Sequence, residues 1–406
     1  MNRSRSLFRT AQLLALSALV AAPLVAQDAA VKPHLDIYGF VQLDMGSQIG
    51  QINPDWYDVM RPSKLPAYQD EFAPSGQFFA SVRQTRFGVQ AWAPTTMGSL
   101  WTVFEFDLFG VGADAGQTTI RLRKAWAQLG KIGAGQFNST FMDIDVFPNT
   151  FEYWGPNGMV FFRNIQIRYM AIQGETFLNI ALENPGASAD GGAYAGRVEL
   201  AGVVPKFPLP DLTAQYRSAH PWGYVQVGGV LRDIEWKDLN ATPTSNFSGS
   251  AVGWGLTASS NIKIKKSDVV RLQGVYGQGI QNYMNDAPVD IGVKNDFSNT
   301  VSPVKGVALP MWSAVAFLDH TWNERWMSSI GYSTLVVNNS HGQLADAFHS
   351  GSYAAANIVY NPVKNVWAAL EYTWGQRKNN SDGWSYNDNR GDVSFKYAYS
   401  QTIGGN

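Results

Sequence analysis

The chain has 406 residues, no cysteine and a formal net charge of −1. That balance excludes a general nucleic-acid binder, which carries a basic surface, and the missing thiols exclude disulfides, thiolate metal sites and cysteine nucleophiles. Only 16% of residues are charged, against about a quarter in soluble domains, while aromatics reach 13% and glycines number 39.

The first element is an export signal. Arg3, Arg5 and Arg9 stand in a start without acids, the apolar run AQLLALSALVAAPLVA follows, and the small Ala26 precedes Gln27. Basic start, apolar middle and small residue at the cut describe a secretory signal peptide over residues 1–26. The length of the run and Pro23 argue against a membrane anchor. Residues 27–33 form a short periplasmic segment. Beyond Ala26 no run reaches the ~18 apolar residues of a spanning helix.

From 34 to 400 the sequence alternates apolar and polar residues with period two, the signature of strands with one greasy and one polar face. SLWTVFEFDLFG sets Leu100, Thr102, Phe104, Phe106 and Leu108 against Glu105 and Asp107. TIRLRKAWAQLG sets Ile120, Leu122 and Trp126 against Arg121 and Arg123. DVVRLQGVYG sets Val270, Leu272 and Tyr276 against Arg271 and Gln273; DVSFKYAYS sets Val393, Phe395, Tyr397 and Tyr399 against Ser394, Lys396 and Ser400. Sixteen such segments run from one centred near Phe40 to one near Phe395, each of about ten residues, which crosses the hydrocarbon when tilted. Short connections such as APTTMG, LGKIG and TWNER alternate with long ones at 48–77, 139–162, 184–210 and 285–310. The fold expected is all-β: a transmembrane antiparallel β-barrel of about 16 strands, with short periplasmic turns and long extracellular loops. Residues 401–406 are a C-terminal tail. A soluble all-β protein would instead bury the greasy face. Isolated arginines among small residues suit a lumen, and aromatics at segment ends (Trp92, Trp126, Tyr153, Trp222, Trp236, Trp322, Trp326, Trp374) suit interfacial girdles.

The loop 139–162 breaks the period. It carries Asp143, Asp145 and Glu152 beside Phe141, Phe147, Phe151, Tyr153 and Trp154. A solvated loop has no use for so many rings, whereas a loop folded into the lumen can pack them on the wall. Pro148, Gly155, Pro156 and Gly158 supply the reversals. The lumen-facing set holds Arg86, Arg121, Arg123, Arg168, Arg217, Arg232, Arg271 and Lys396 as bases, and Asp36, Asp44, Glu105, Asp107, Glu183 and Glu371 as acids. Arg86, Arg121, Arg123 and Arg168 would stack as a basic wall facing the loop acids across a low-dielectric gap. Asp143, Asp145 or Glu152 could lie between Arg121 and Arg123. The alternative is that these two arginines pair with Glu105 and Asp107 and brace the wall. Arg83 and Lys124 fit no face, since they share the parity of lipid-facing neighbours.

RQTRFGVQAW (83–92), RLRKAW (121–126), GQFNSTFMD (135–143), GPNG (155–158), IQIRY (165–169), DLTAQYR (211–217) and WGYVQVGGVLRDIEW (222–236) together resemble the DcaP-like outer-membrane porins, in the same order along nearly the whole mature chain. The resemblance implies a homotrimer of sixteen-stranded barrels that passes small, mostly negatively charged organic acids across the outer membrane of a Gram-negative-type bacterium. The expected partners are outer-membrane lipid, small solutes, especially carboxylates, and the barrel-assembly machinery. No nucleic acid, cofactor or metal is called for.

The function expected is a passive diffusion channel for small hydrophilic solutes with modest preference for anionic organic acids, and not an enzyme. A channel with a dedicated site for a neutral solute such as a sugar is the alternative, and a plugged structural or adhesive barrel a third. Other motifs carry little. RGD at 390–392 sits where a loop enters the last strand. Asp382, Asp388 and Asp392 lack the spacing of a calcium loop. His341 and His349 share one loop, Ser218 and His220 share a tight turn, and GVYGQG at 274–279 opens no helix.

Overall fold

A computed structural model describes residues 31–110 and 114–405. The signal peptide at 1–26 lies outside the described residues, as do 27–30 of the segment that follows. Strand alternation becomes a barrel whose wall is β1 (His34–Gln48), β2 in two pieces (Phe78–Ser81 and Arg86–Thr95), β3 (Gly98–Phe109), β4 (Thr118–Leu129), β5 (Ile132–Asn138), β6 (Arg163–Ile172), β7 (Phe177–Glu183), β8 in two pieces (Val203–Lys206 and Asp211–His220), β9 (Gly223–Asp238), β10 (Gly249–Lys263), β11 (Asp268–Gln278), β12 (Pro310–Asn323), β13 (Trp326–Val337), β14 (Phe348–Tyr360), β15 (Val366–Asn379) and β16 (Ser385–Gly404). Each strand pairs antiparallel with its sequence neighbours, and β1 pairs with β16 from His34 opposite Gly404 to Gln48 opposite Arg390. Closure removes the edges that an open sheet would expose to lipid. Among the described residues this makes sixteen wall strands.

The faces sort as the lipid demands. Phe104, Ile120, Leu256, Tyr276, Ile330, Leu370 and Tyr397 are exposed on the outside, while Glu105, Asp107, Arg123, Arg168, Glu183, Arg232 and Glu371 are buried inside. Two local departures settle the residues that fitted no face. In β4 the register slips against β3, so that Lys124 opposes Glu105 and Leu122 opposes Phe106, with Arg123 as the extra residue. This bulge re-aims side chains: Arg123 and Lys124 both turn to Glu105, at 2.8 and 3.3 Å. Parity flips below it, so Trp126 is buried against Phe137 and not turned to lipid. In β2 the strand breaks at 82–85, and Arg83 swings inward, fully buried, with Nη1 on Asp58 Oδ1 at 2.7 Å and its guanidinium 4.0 Å over Phe109. The break in β8 at 207–210 holds Pro208 and Pro210, which cannot donate to a ladder.

Four of the eight aromatics assigned to the girdles belong elsewhere. Trp126 faces inward for the reason given. Trp92 pairs in register with the inward Trp101, Trp236 sends its Nε1 to Phe247 O beneath the hairpin of Ile291–Asn295 and Val304–Ala308, and Tyr153 lies in the lumen. Trp222, Trp322 and Trp326 are exposed at short-turn ends. The RGD stretch is strand, and Arg390 is buried on Asp392 at 2.8 Å. The boundary at 400 also moves: residues 401–404 continue β16 opposite His34 to Ile37.

The wall is low at β5 and β7, of seven residues each. β5 pairs with β4 only from Ala125 downward. Above that point, among the described residues, 118–124 of β4 have no strand on that side.

Candidate functional site

The loop 139–162 lies inside the barrel, and its polar atoms are claimed strand by strand. Ser139 Oγ and Thr140 N donate to Glu183 of β7 at 2.8 and 3.0 Å, and Thr140 Oγ1 reaches Thr213 of β8 at 2.6 Å. Asp143 then accepts from Arg217 of β8 at 2.7 Å, Tyr224 of β9 at 2.8 Å and Ser259 of β10 at 2.6 Å. Asp145 accepts from the other arm of Arg217 at 2.6 Å. On the far side Glu371 of β15 accepts from the backbone N–H groups of Phe151 and Glu152 at 2.9 and 2.6 Å. The return limb presses on β13, where Gly158 N meets Ser333 Oγ at 2.8 Å. A Cβ at Gly158 would stand 2.7 Å from Thr334 O, so glycine is what lets the loop approach. Val160 N closes the circuit on Gln273 of β11 at 3.0 Å. Phe141 is fully buried, and Phe147 packs against two apolar clusters, one around Tyr283 and one around Tyr353.

The loop tip meets the basic strands. Arg121 grips Asp107 with two bonds, 2.9 and 2.6 Å, and Arg123 donates to Glu105 at 2.8 Å and Asp107 at 2.7 Å. Tyr153 OH sits between the two guanidiniums, bonded to Arg121 and, at 2.9 Å, to Arg123. Its ring stacks on Phe109 at 4.5 Å. So the groups between Arg121 and Arg123 are Asp107 and a phenol, not a loop carboxylate. Asp143 and Asp145 are held across the lumen by Arg217. Glu152 is buried and accepts from Met60 N at 2.9 Å, Trp154 N at 3.0 Å and Gly155 N at 2.6 Å. Burial pushes its carboxyl up to about 7 against the pull of Arg390 and these N–H groups.

The remaining basic residues divide. Arg232 is buried between Asp211 at 3.0 Å and Asp290 at 2.9 Å, and Arg271 pairs with Asp319. Arg168 does not join the expected wall. Trp126 and Phe137 stand against it at 5.3 and 5.4 Å, and it bonds Gln166 and Asn138 O. Arg86 pairs with no described carboxylate, its buried Nε has no partner, and it faces Phe40 at 5.1 Å.

Two features escaped the sequence reading. The loop 49–77 also enters the lumen: Met60 and Leu65 are buried beside Met159 and Tyr353, and Ser63 N and Oγ donate to Asp286 at 2.8 and 2.5 Å. Its stretch PDWYDVMRPSKL, like 139–162, sets rings beside acids and prolines without a period, and that signal could have found it. Arg61 and Arg163 were also missed. Arg61 lies 4.2 Å from both the Trp56 and Trp154 rings and pairs with Asp286 at 3.0 Å. Arg163 lines, with Arg61, Arg121 and Asn285, a cavity of about 380 Å³. Its buried Nη1 has no partner.

Comparisons with known proteins agree with this architecture. A family model described as DcaP outer membrane protein matches residues 66–390. No curated protein matches the chain. Among solved structures, the outer membrane channel DcaP of Acinetobacter baumannii is similar over 92% of this chain and 100% of its own, at 19% identity and a TM-score of 0.74. An anion-selective porin from Comamonas acidovorans gives a TM-score of 0.56 at 9% identity, covering 90% of this chain and 100% of its own. A trimer form of OmpT from Vibrio cholerae gives 0.52 at 11%, covering 90% and 99%. At these identities the likeness is one of fold.

Proposed function

Since the chain belongs to the DcaP outer membrane protein family, an outer-membrane porin family, we propose that it is a passive diffusion channel for small hydrophilic solutes with a modest preference for organic anions. One observation carries the preference. Where the loop tip meets β2 to β4, the cations Arg86, Arg121, Arg123 and Lys124 stand around two carboxylates, Glu105 and Asp107. Pairing within this cluster leaves a surplus of positive charge at a narrow, water-poor place, where fields act strongly. The preference stays modest because a channel that binds its solute too tightly stops conducting. The solved anion-selective porin of similar fold lends the reading support.

The assembly we read is a homotrimer in which neighbouring copies cover the low wall. Residues 118–124 of β4 lack a strand neighbour there, and Phe104, Ile120, Leu122, Ile165 and Ile167 lie exposed around the notch. Unpaired backbone is not left facing hydrocarbon, so protein must cover it. A trimer form is known for one structure of similar fold. Export through a cleaved signal and insertion by the barrel-assembly machinery complete the reading.

Liposome swelling tests the function. Proteoliposomes should admit short carboxylates faster than neutral solutes of equal size. Equal rates would remove the anion preference, and no swelling with any solute would mark a plugged barrel.

A further inference from the structure

One short turn differs from the rest. Between β10 and β11 the chain reads KIKKSD at 263–268, with three lysines, whereas each of the other short turns carries at most one lysine or arginine. Lys263, Lys265 and Lys266 are exposed. Asp268, the acid of this turn, is taken by His320 and Ser267. Backbone bonds stitch the turn to its neighbours: Lys263 N donates to Trp222 O at 2.8 Å, and Thr321 N donates to Ser267 O at 2.8 Å. Both neighbours are aromatic. His220 stacks on Trp222 at 5.1 Å, and His320 meets Trp322 edge-on at 4.3 Å. Trp222, Trp322, Trp326 and Ile264 are all exposed. His220 shares the parity of the exposed Tyr216 in β8, and His320 that of the exposed Leu318 in β12. The sector therefore lies on the outer wall at the short-turn rim. It stands well round the wall from β5, so a copy that covers the notch there leaves it facing lipid.

We infer that the turn 263–268 and the two histidine–tryptophan pairs beside it bind the headgroup of an anionic phospholipid in the leaflet on the short-turn side. Exposed tryptophans of a barrel sit at the level of the headgroups, and Trp222 and Trp322 put this turn at that level. Its lysines can then reach phosphates while their stems, with Ile264 and the indoles, stay against the upper acyl chains. Clustered lysines at a membrane surface favour anionic lipid. With Arg325 of the next turn, four cations stand against Asp268 and Glu324. A lipid of net negative charge answers that surplus, and a zwitterionic one does not. A turn made only for water has no use for Ile264 at 61% exposure or Trp322 at 64%. These apolar groups lie on the outward face, beside the acyl chains, and that selects a lipid over a soluble anion of the periplasm.

Native mass spectrometry of the full chain, released from detergent with one lipid added at a time, reads the bound lipid. Phosphatidylglycerol should stay bound at about tenfold lower concentration than phosphatidylcholine with the same chains. Lys263→Gln with Lys265→Gln and Lys266→Gln should remove most of that difference, and the three corresponding changes to Arg should keep it. Lys131→Gln with Lys364→Gln, which neutralises two other short turns, should leave it unchanged. Heat-dependent gel mobility confirms that each variant is a folded barrel. Glycerol phosphate, the headgroup without its chains, should not displace phosphatidylglycerol at equal concentration. Equal retention of the two lipids by the wild type would overturn the site, as would an equal loss in the Lys131 and Lys364 variant. Displacement by glycerol phosphate would reduce the turn to a basic patch on the aqueous face and overturn it too.

Discussion

Arg123 donates to Glu105, Asp107 and Tyr153 together, and so ties β3, β4 and the loop at one point. Removing one partner from such a buried set leaves a charge unanswered, at a cost of about 3–5 kcal/mol. The phenol in this cluster is the group that titrates usefully. Burial alone would raise Tyr153, but the guanidiniums of Arg121 and Arg123, with Arg163 behind them, outweigh it and bring the phenol down to about 7. As pH rises through that value a negative charge enters the constriction. Glu152 beside it, also near 7, loses its proton in the same window. Anion preference should therefore fall between about pH 6 and pH 8; Tyr153→Phe should make the fall shallower, and Tyr153→Phe with Glu152→Gln should flatten it. Zero-current potentials in a salt gradient, taken at each pH, check this; a curve in Tyr153→Phe as steep as in the wild type would assign the titration to other groups. Alternation alone put Arg121 and Arg123 in the lumen with Glu105 and Asp107 close by. It could not show which partner each would take, because that depends on a bulge. A single inserted residue reverses parity, and so Lys124 was unplaced and Trp126 was set on the wrong side.

The loop 139–162 is the element that decides the pore. Its contacts with β7, β8, β9, β10, β11, β13 and β15 are side-chain caps on backbone or on loop carboxylates, and none is part of the wall ladder. Deleting 147–158 should leave the barrel folded and raise single-channel conductance about twofold or more, since a pore conducts by its narrowest section. A folded deletion variant with unchanged conductance would mean that the loop 49–77, which packs beside it, sets the limit. The inward course of 139–162 was legible because rings and acids crowd a stretch without period. The same signal in 49–77 was passed over. The end of β16 shows the opposite error. Residues after Tyr399 read as a tail because the aromatic row stops there, yet polar residues pair as well as apolar ones where a strand emerges from lipid. Removing 401–406 takes away the rungs opposite His34 to Ile37. It should lower the temperature at which the barrel unfolds in detergent, by several degrees on the usual scale of about a kcal/mol. An unchanged transition would restore the tail.

At the scale of the whole molecule the barrel followed from a single pattern, because lipid outside and water inside impose period two on every wall strand. What the pattern could not carry was the interior, where charge meets charge across strands far apart in sequence, as Asp58 meets Arg83 and Asp290 meets Arg232. Nor does it show the low wall at β5 to β7, since strand length there is cut by where the chain turns inward. The account of function rests on the surplus of cations at the loop tip, with net charge of the whole chain near zero. Its most direct test is the zero-current potential of the reconstituted channel in a tenfold potassium chloride gradient at about pH 6, where Tyr153 is mostly neutral. The account predicts the sign set by chloride permeability. A potential of the sign set by potassium would contradict it.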